Sequence, residues 1–291
     1  MAAHPRSHSQ SLASPSDWRR RLLITLALLL ALLLLVAPMA AIFAGAFAKG
    51  LGHWASSLAQ PDTLKAIGLS LLTLAAVLPL NVVYGLVAGW ALTKFRFRGK
   101  KWLIALIETP FSVSPIVAGV ALLLVYGNSG LLGPWLDDHD IKVMFALPGI
   151  ILATLFITSP YVIRELLPLM QTQGIEDEEA ARILGASGWH TFLHITLPNI
   201  RWALFYGIVL CAARALGEFG AVSVVSGQIR GETNTLPLQI DLLYHDYDSS
   251  AAFAAASALM LMSLVTLIAK LVMERRHGSE LGRGIKENAE D

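Results

Sequence analysis

One cysteine occurs in 291 residues, and only 15% of the residues are charged. The lone thiol, Cys211, excludes an internal disulfide and leaves no cluster of thiols to hold zinc. Ordinary soluble domains carry about 25% charged residues, so this shortage excludes a disordered chain and argues against a single soluble domain. Neither sign of charge dominates: 22 Lys+Arg stand against 21 Asp+Glu, a net charge of +1. With no surplus of basic charge to neutralise phosphates, nucleic acid is not the main partner. The string G-x-x-x-x-G-K-[ST] is also missing, so the chain has no P-loop with which to cradle ATP. What it has in abundance is apolar: 55% of residues are hydrophobic and the mean hydropathy is +0.60. The composition is that of an integral membrane protein.

About 20 mostly apolar residues cross a hydrocarbon core as a helix. Such stretches occur near Leu22–Phe47, Ile67–Leu92, Trp102–Tyr126, Leu147–Met170, Trp202–Val225 and Ala251–Met273, which predicts an all-α protein of six spans. The first follows Arg19, Arg20 and Arg21 but is longer than the roughly 7–15 residues of a signal-peptide core, so it reads as an uncleaved anchor. Residues 1–18, with five Ser and two Pro before Asp17, read as an unstructured tail. Residues 19–60 hold the first span and its outer loop, 61–275 the core, and 276–291 a second tail. Pro79, Pro110, Pro115, Pro160 and Pro168 fall inside spans, where neighbouring helices, hydroxyls or water must satisfy the freed carbonyls.

Lys and Arg set the orientation. They cluster before the first span (Arg19, Arg20, Arg21), between the second and third (Lys94, Arg96, Arg98, Lys100, Lys101) and after the last (Lys270, Arg275, Arg276). In a six-span arrangement all three clusters share one side, so both termini are expected in the cytoplasm. The opposite loops are acidic, with Asp137, Asp138 and Asp140 against Lys142, and Glu232, Asp241, Asp246 and Asp248 against Arg230. A surface of that sign does not collect anions from solvent, which favours delivery by a docked soluble protein.

The connection from Gln171 to Arg201 behaves neither as a span nor as a short turn. Glu176 to Leu184 opens with acids, as suits a helix N-terminus, and Gly185 stands where a left-handed residue ends a helix. Ser187 can cap a second short helix carrying Trp189, Phe192 and Leu193, which Pro198 is expected to end. Trp189 and Phe192 are then exposed aromatic anchors for a partner, and Glu178 and Glu179 can meet its basic residues. Read alone, the stretch could be an amphipathic hairpin with no partner. Gly185-Ala186-Ser187-Gly188 also matches the G-x-S-G string of intramembrane proteases, with His190 and His194 nearby. A nucleophile of that kind needs burial in the membrane and a base on another span, and this serine lies in a polar loop.

Glu179-Ala180-Ala181, three residues, Gly185, nine residues, then Ile195-x-Leu197-Pro198 resembles the EAA loop of ABC importer permeases, with every fixed position filled. The resemblance implies a type I importer transmembrane domain whose coupling helices, within 171–201, dock on an ATPase subunit. Glu108 to Gly119 and Ala213 to Gly220 are further similar to the sulfate and molybdate permeases, while Ala221 to Thr233, Leu236 to Ile240 and Thr196 to Leu204 are similar to one subunit type within them. The nearest pattern is the W-type subunit of sulfate/thiosulfate importers, and the likeness covers about residues 60 to 275. It implies a homologous T-type permease, two ATP-binding subunits and a periplasmic sulfate/thiosulfate-binding protein as partners in a bacterial inner membrane. No cofactor is expected on this chain, ATP and magnesium belonging to the ATPase, and the chain itself is expected to be no enzyme. A molybdate or tungstate permease is the alternative within the class. An ion-coupled secondary transporter is the rival outside it, and it predicts repeated halves that the sequence does not display.

Two sets of residues are candidates for the transport path. Arg214 and Glu218 share a helical face at i, i+4 spacing; the pair either meets a passing dianion or is an ion pair fixing helix packing. Pro115 frees the carbonyl of Phe111, with the hydroxyls of Ser112 and Ser114 beside it, and these either ease an oxyanion through or repair a kink. Asn81, after Pro79, has the same two readings.

Overall fold

A computed structural model describes residues 17–287 of the chain, with side chains described from 18 to 272. The first sixteen residues of the N-terminal tail expected at 1–18, and residues 288–291 of the tail expected at 276–291, lie outside the described residues. The regular structure of the described residues is all helical, without strand. In order they form α1 (Trp18–Phe47), α2 (Leu51–Leu58), α3 (Pro61–Lys94), α4 (Lys100–Ser112), α5 (Pro115–Tyr126) and α6 (Gly133–Asp138). They continue with α7 (Leu147–Gln173), α8 (Glu176–Ile183), α9 (Gly188–Leu216), α10 (Gly220–Val225), α11 (Leu236–His245) and α12 (Ser249–Glu287).

Five of these, α1, α3, α7, α9 and α12, are long and apolar enough to cross a bilayer, and α4 with α5 makes a sixth only if taken as one bent unit. That unit is the first correction to the sequence reading. One proline-containing span was expected at Trp102–Tyr126; instead the chain turns by 112° at Val113 (φ −93°, ψ 133°) and Ser114 (φ −59°, ψ 135°). The second concerns the fifth span, which ends at Leu216, breaks over Gly217–Phe219 and restarts as the short α10. The third is Pro198. It ends no helix, because α9 runs unbroken from the loop into the span through a π-helical turn at Phe192–Thr196. There the Leu197 N–H reaches back to the Phe192 carbonyl, and the wider turn makes room for a proline ring that an α-turn would clash with. The same device precedes Pro38, where the Ala37 N–H bonds the Leu32 carbonyl.

Helices α3, α7 and α9 form the centre of the bundle. They approach closely because small residues face a branched one. A Cβ on Gly85 of α3 would lie 2.6 Å from Val162 Cγ1, and one on Gly207 of α9 would lie 3.0 Å from the Val162 Cα. Val162 of α7 is fully buried between these two glycines, an arrangement common where no hydrophobic force pulls helices together. Leu166, Met170, Ile200, Leu204 and Cys211 continue this core. Asn81, wholly buried, donates to Thr158 Oγ1 at 2.7 Å and to Cys211 Sγ at 3.2 Å, joining all three helices. Its side-chain amide thus braces the three helices against one another, a role that neither of its two sequence readings named. Helix α1 stands apart: its first half, Leu22 to Val36, is exposed along every face, and only its second half touches α12, with Gly45 against Phe253.

Candidate functional site

Two features carry the predicted site residues: the hairpin 171–201 at one end of the bundle, and a pair of facing helix breaks within it.

In the hairpin, α8 begins with Glu176, Asp177, Glu178 and Glu179 in its first turn, where the helix dipole favours negative charge. It closes with Gly185 at φ 86°. The Gly185 N–H donates to the Arg182 carbonyl and the Ala186 N–H to the Ala181 carbonyl, both at 3.0 Å, the paired bonds of a Schellman closure. A Cβ on Gly185 would meet nothing within 4 Å, so the demand for glycine is one of dihedral angle and not of space. Ser187 caps α9 by accepting the His190 N–H at 3.3 Å. That hydroxyl sits on an exposed turn, which agrees with setting the nucleophile reading aside.

The outward face differs from the one expected. Trp189 is 69% exposed, and beside it stand Ile183 at 85% and Leu184 at 88%, two residues that the motif did not single out. Phe192 is no outward anchor: half-buried, it stacks on Trp90 of α3 at 5.2 Å and on Trp189 at 5.7 Å. Glu178 also turns inward. Its Oε2 lies 3.0 Å from Lys94 Nζ and its Oε1 accepts the Thr196 hydroxyl at 2.6 Å, while Glu179 stays exposed. Ala180 and Pro198 are exposed, and Ala181, Ile195 and Leu197 are half-buried, Leu197 against the central core. Sequence reasoning used Lys94 only as part of a charge cluster. Its place one turn after Trp90, facing the hairpin, was the available signal.

Within the bundle, the break between α4 and α5 meets the break between α9 and α10. A Cβ on Gly220 would lie 2.9 Å from Pro115 Cβ, and one on Gly119 would lie 2.8 Å from the Ala221 carbonyl oxygen. The two breaks, which carry the two candidate sets on different spans, therefore pack against each other at one junction. Ser112 and Ser114 are exposed at its edge and Pro115 is half-buried. Arg214 Nη1 lies 2.6 Å from Glu218 Oε2, with side chains 29% and 1% exposed. Glu218 Oε1 in turn accepts the Ala221 N–H at 2.9 Å, so the carboxylate serves as the cap of the half-helix α10. The ion pair thus has a structural task in fixing the break, and Arg214 keeps guanidinium donors that Glu218 does not use.

A further cation was missed. Arg164 of α7 places its guanidinium over the Phe111 ring at 5.1 Å, beside Ser112. It lines, with Glu108, Phe111 and Pro160, a cleft of about 240 Å³ between α4 and α7. An ionisable residue inside a mostly apolar span, Leu147–Met170, is the signal that would have found it.

Comparison with known proteins agrees with this architecture. The chain is 50% identical over 264 residues, 91% of each protein, to the sulfate transport system permease protein CysW of Escherichia coli strain K12. It is 44% identical over 257 residues to the protein of the same name from Synechocystis, covering 88% of this chain and 93% of that one. It is 36% identical over 221 residues to the sulfate transport system permease protein CysT of Escherichia coli strain K12, covering 76% and 80%. A chain of a bacterial alginate ABC transporter, crystallised with its alginate pentasaccharide-bound periplasmic protein, superimposes with a TM-score of 0.74 at 16% identity. That alignment covers 89% of this chain and 95% of the other, and it speaks for the fold. Residues 81–278 match the model of the binding-protein-dependent transport system inner membrane component. The chain belongs to that family of inner-membrane transport permeases.

Proposed function

We propose that this chain is one permease subunit of an ATP-driven importer of sulfate and thiosulfate. The observation that carries the reading is the hairpin: Ile183, Leu184 and Trp189 stand exposed on a rigid tip whose second helix is continuous with a span. A surface of this kind suits a groove on a soluble partner, with Trp189 as the central anchor. The chain counts six crossings, α1 and five in the permease core, with the bent α4–α5 unit as one, and both termini and the hairpin lie in the cytoplasm. The sulfate assignment is supported by the names of the relatives, both W-type and T-type. A homologous T-type permease, two ATP-binding subunits and a periplasmic binding protein complete the assembly, and ATP with magnesium stays on the ATPase. The relatives' names favour sulfate over molybdate, and membership of a binding-protein-dependent family sets the secondary transporter aside.

ATP binding closes the ATPase pair and moves the hairpins, and each hairpin moves the spans it continues into. The anion then meets the two facing breaks. Ser112 and Ser114 offer hydroxyls, and Arg214 offers donors from a pair that is nearly neutral overall. Such a site eases a dianion through without trapping it, as a path must. Uptake of labelled sulfate, thiosulfate and molybdate in a strain lacking only this chain tests the cargo: sulfate and thiosulfate uptake are expected to fall and molybdate uptake to persist. Loss of molybdate uptake alone overturns the assignment. Recovery of an ATPase with the purified chain tests the coupling.

A further inference from the structure

We infer that Lys94 is a positioning residue that locks the hairpin to the second span, so that force applied at the tip moves α3 together with α7 and α9. The inference rests on the reading of the hairpin as the ATPase contact. The hairpin is attached to the bundle unequally at its two ends. On one side it runs as continuous helix into α9. On the other it hangs from α7 by Gly174 at φ 70°, ψ −153°, a conformation open to glycine alone, with nothing within 4 Å of a Cβ placed there. Left to itself, that joint is a hinge, and a push on the tip would be absorbed there.

Lys94 closes the hinge. From the last turn of α3, its ammonium donates to the Gly174 carbonyl at 2.7 Å and lies 3.0 Å from Glu178 Oε2. It therefore holds the hinge residue itself and the first turn of the helix beyond it. Glu178 is fixed a second time by the Thr196 hydroxyl at 2.6 Å, which ties α8 to the π turn of α9. One turn back along α3, Trp90 stacks on Phe192 at 5.2 Å. Two contacts on one face of α3 thus clamp both arms of the hairpin. The ion pair is shielded, with side chains 11% and 12% exposed, so salt screens it less than a surface pair. Helix α3 also carries Asn81 to Thr158 and Cys211, so the clamp passes motion into the centre of the bundle.

The test uses the complete complex of this chain with its partner permease, ATPase and binding protein, reconstituted in liposomes. ATP hydrolysis, labelled sulfate uptake and ATPase content are measured together. For Lys94→Met the ATPase is expected at wild-type stoichiometry and hydrolysis continues. Uptake per ATP falls roughly fivefold or more, the lower end of coupling between linked sites. Lys94→Arg, which keeps the charge and the donors, restores the ratio. Glu178→Gln, which keeps an acceptor for Thr196, shows the same fall to a lesser degree and serves should Lys94→Met fail to fold. Unchanged uptake per ATP in both variants overturns the inference. So does a fall in uptake matched by a fall in ATPase content, since that makes Lys94 an assembly residue. If the wild-type complex holds no ATPase, the functional reading fails before the role of Lys94 is reached.

Discussion

Arg214 Nη1 lies 2.6 Å from Glu218 Oε2 across the end of α9, and the other oxygen of the same carboxylate accepts the Ala221 N–H at 2.9 Å. One buried side chain therefore neutralises a cation and starts a half-helix. Removing either member leaves a charge inside the bundle, which costs about 3–5 kcal/mol for a buried pair. Glu218→Ala is expected to lose both functions and to show the largest drop in thermal unfolding temperature in detergent. Glu218→Gln keeps a carbonyl oxygen for Ala221 and should fall between it and wild type. Arg214→Met combined with Glu218→Gln should cost less than the two single changes together, as a double-mutant cycle of unfolding will reveal.

The hairpin separates binding from folding. Trp189 is 69% exposed and stacks on Phe192, so Trp189→Ala should leave the unfolding temperature nearly unchanged. ATPase affinity should weaken by about 2 kcal/mol, a factor of roughly 30, as for a central interface aromatic. Ile183→Ser with Leu184→Ser should act in the same direction. Phe192→Ala should do the reverse and destabilise the chain by about 1 kcal/mol through its lost stack on Trp90. Binding of the ATPase measured by titration, beside a melting curve, distinguishes the two outcomes. Equal effects of Trp189→Ala and Phe192→Ala on both quantities would refute this division.

Gly185 offers a sharper test of why the motif requires glycine. Its φ of 86° is disfavoured for side chains, yet a Cβ there meets nothing within 4 Å. Strain should therefore follow the intrinsic cost of the left-handed region and not the size of the side chain. Gly185→Asn is expected to be tolerated best, Gly185→Ala to cost about 1 kcal/mol, and Gly185→Val more. Retention of the ATPase during purification should fall in that order. A ranking by volume, with Asn worse than Ala, would place a partner surface against this residue.

Much of this architecture was legible in the sequence because hydropathy and glycine act locally. The stretches around Leu147–Met170 and Ala251–Met273 are apolar over the length that a bilayer needs, and the structure starts helices at Leu147 and Ser249. Gly185 and Ser187 declared the turn and the cap through their own backbone preferences, and both occupy those places. What stayed hidden was set by pairs distant in sequence. Pro115 announces a disturbance but not its angle; the 112° turn depends on Gly220 fitting against it, more than a hundred residues away. Glu178 and Phe192 looked like partner contacts because Lys94 and Trp90, which occupy them, lie on another span. Pro198 looked like a stop because a π turn leaves no mark in composition.

The glycines flanking Val162 carry the last prediction. A Cβ on Gly85 would lie 2.6 Å from Val162 Cγ1 and 2.9 Å from its Cβ, closer than real side chains approach. Gly85→Ala must therefore push α3 away from α7, an overpacking cost of about 1–3 kcal/mol, although alanine is the better helix former. Trimming the opposing side chain should relieve it. Val162→Ala alone opens a void in a wholly buried position and is destabilising, but Gly85→Ala with Val162→Ala should recover most of what each change loses. The brace from Asn81 to Thr158 and Cys211 lies one helical turn along α3 from Gly85, so the separation that harms packing also stretches those bonds. Uptake should follow stability across this series, with the double variant closer to wild type than either single one. If Gly85→Ala is as stable as wild type, α3 and α7 are not held at the spacing that their contact around Val162 requires.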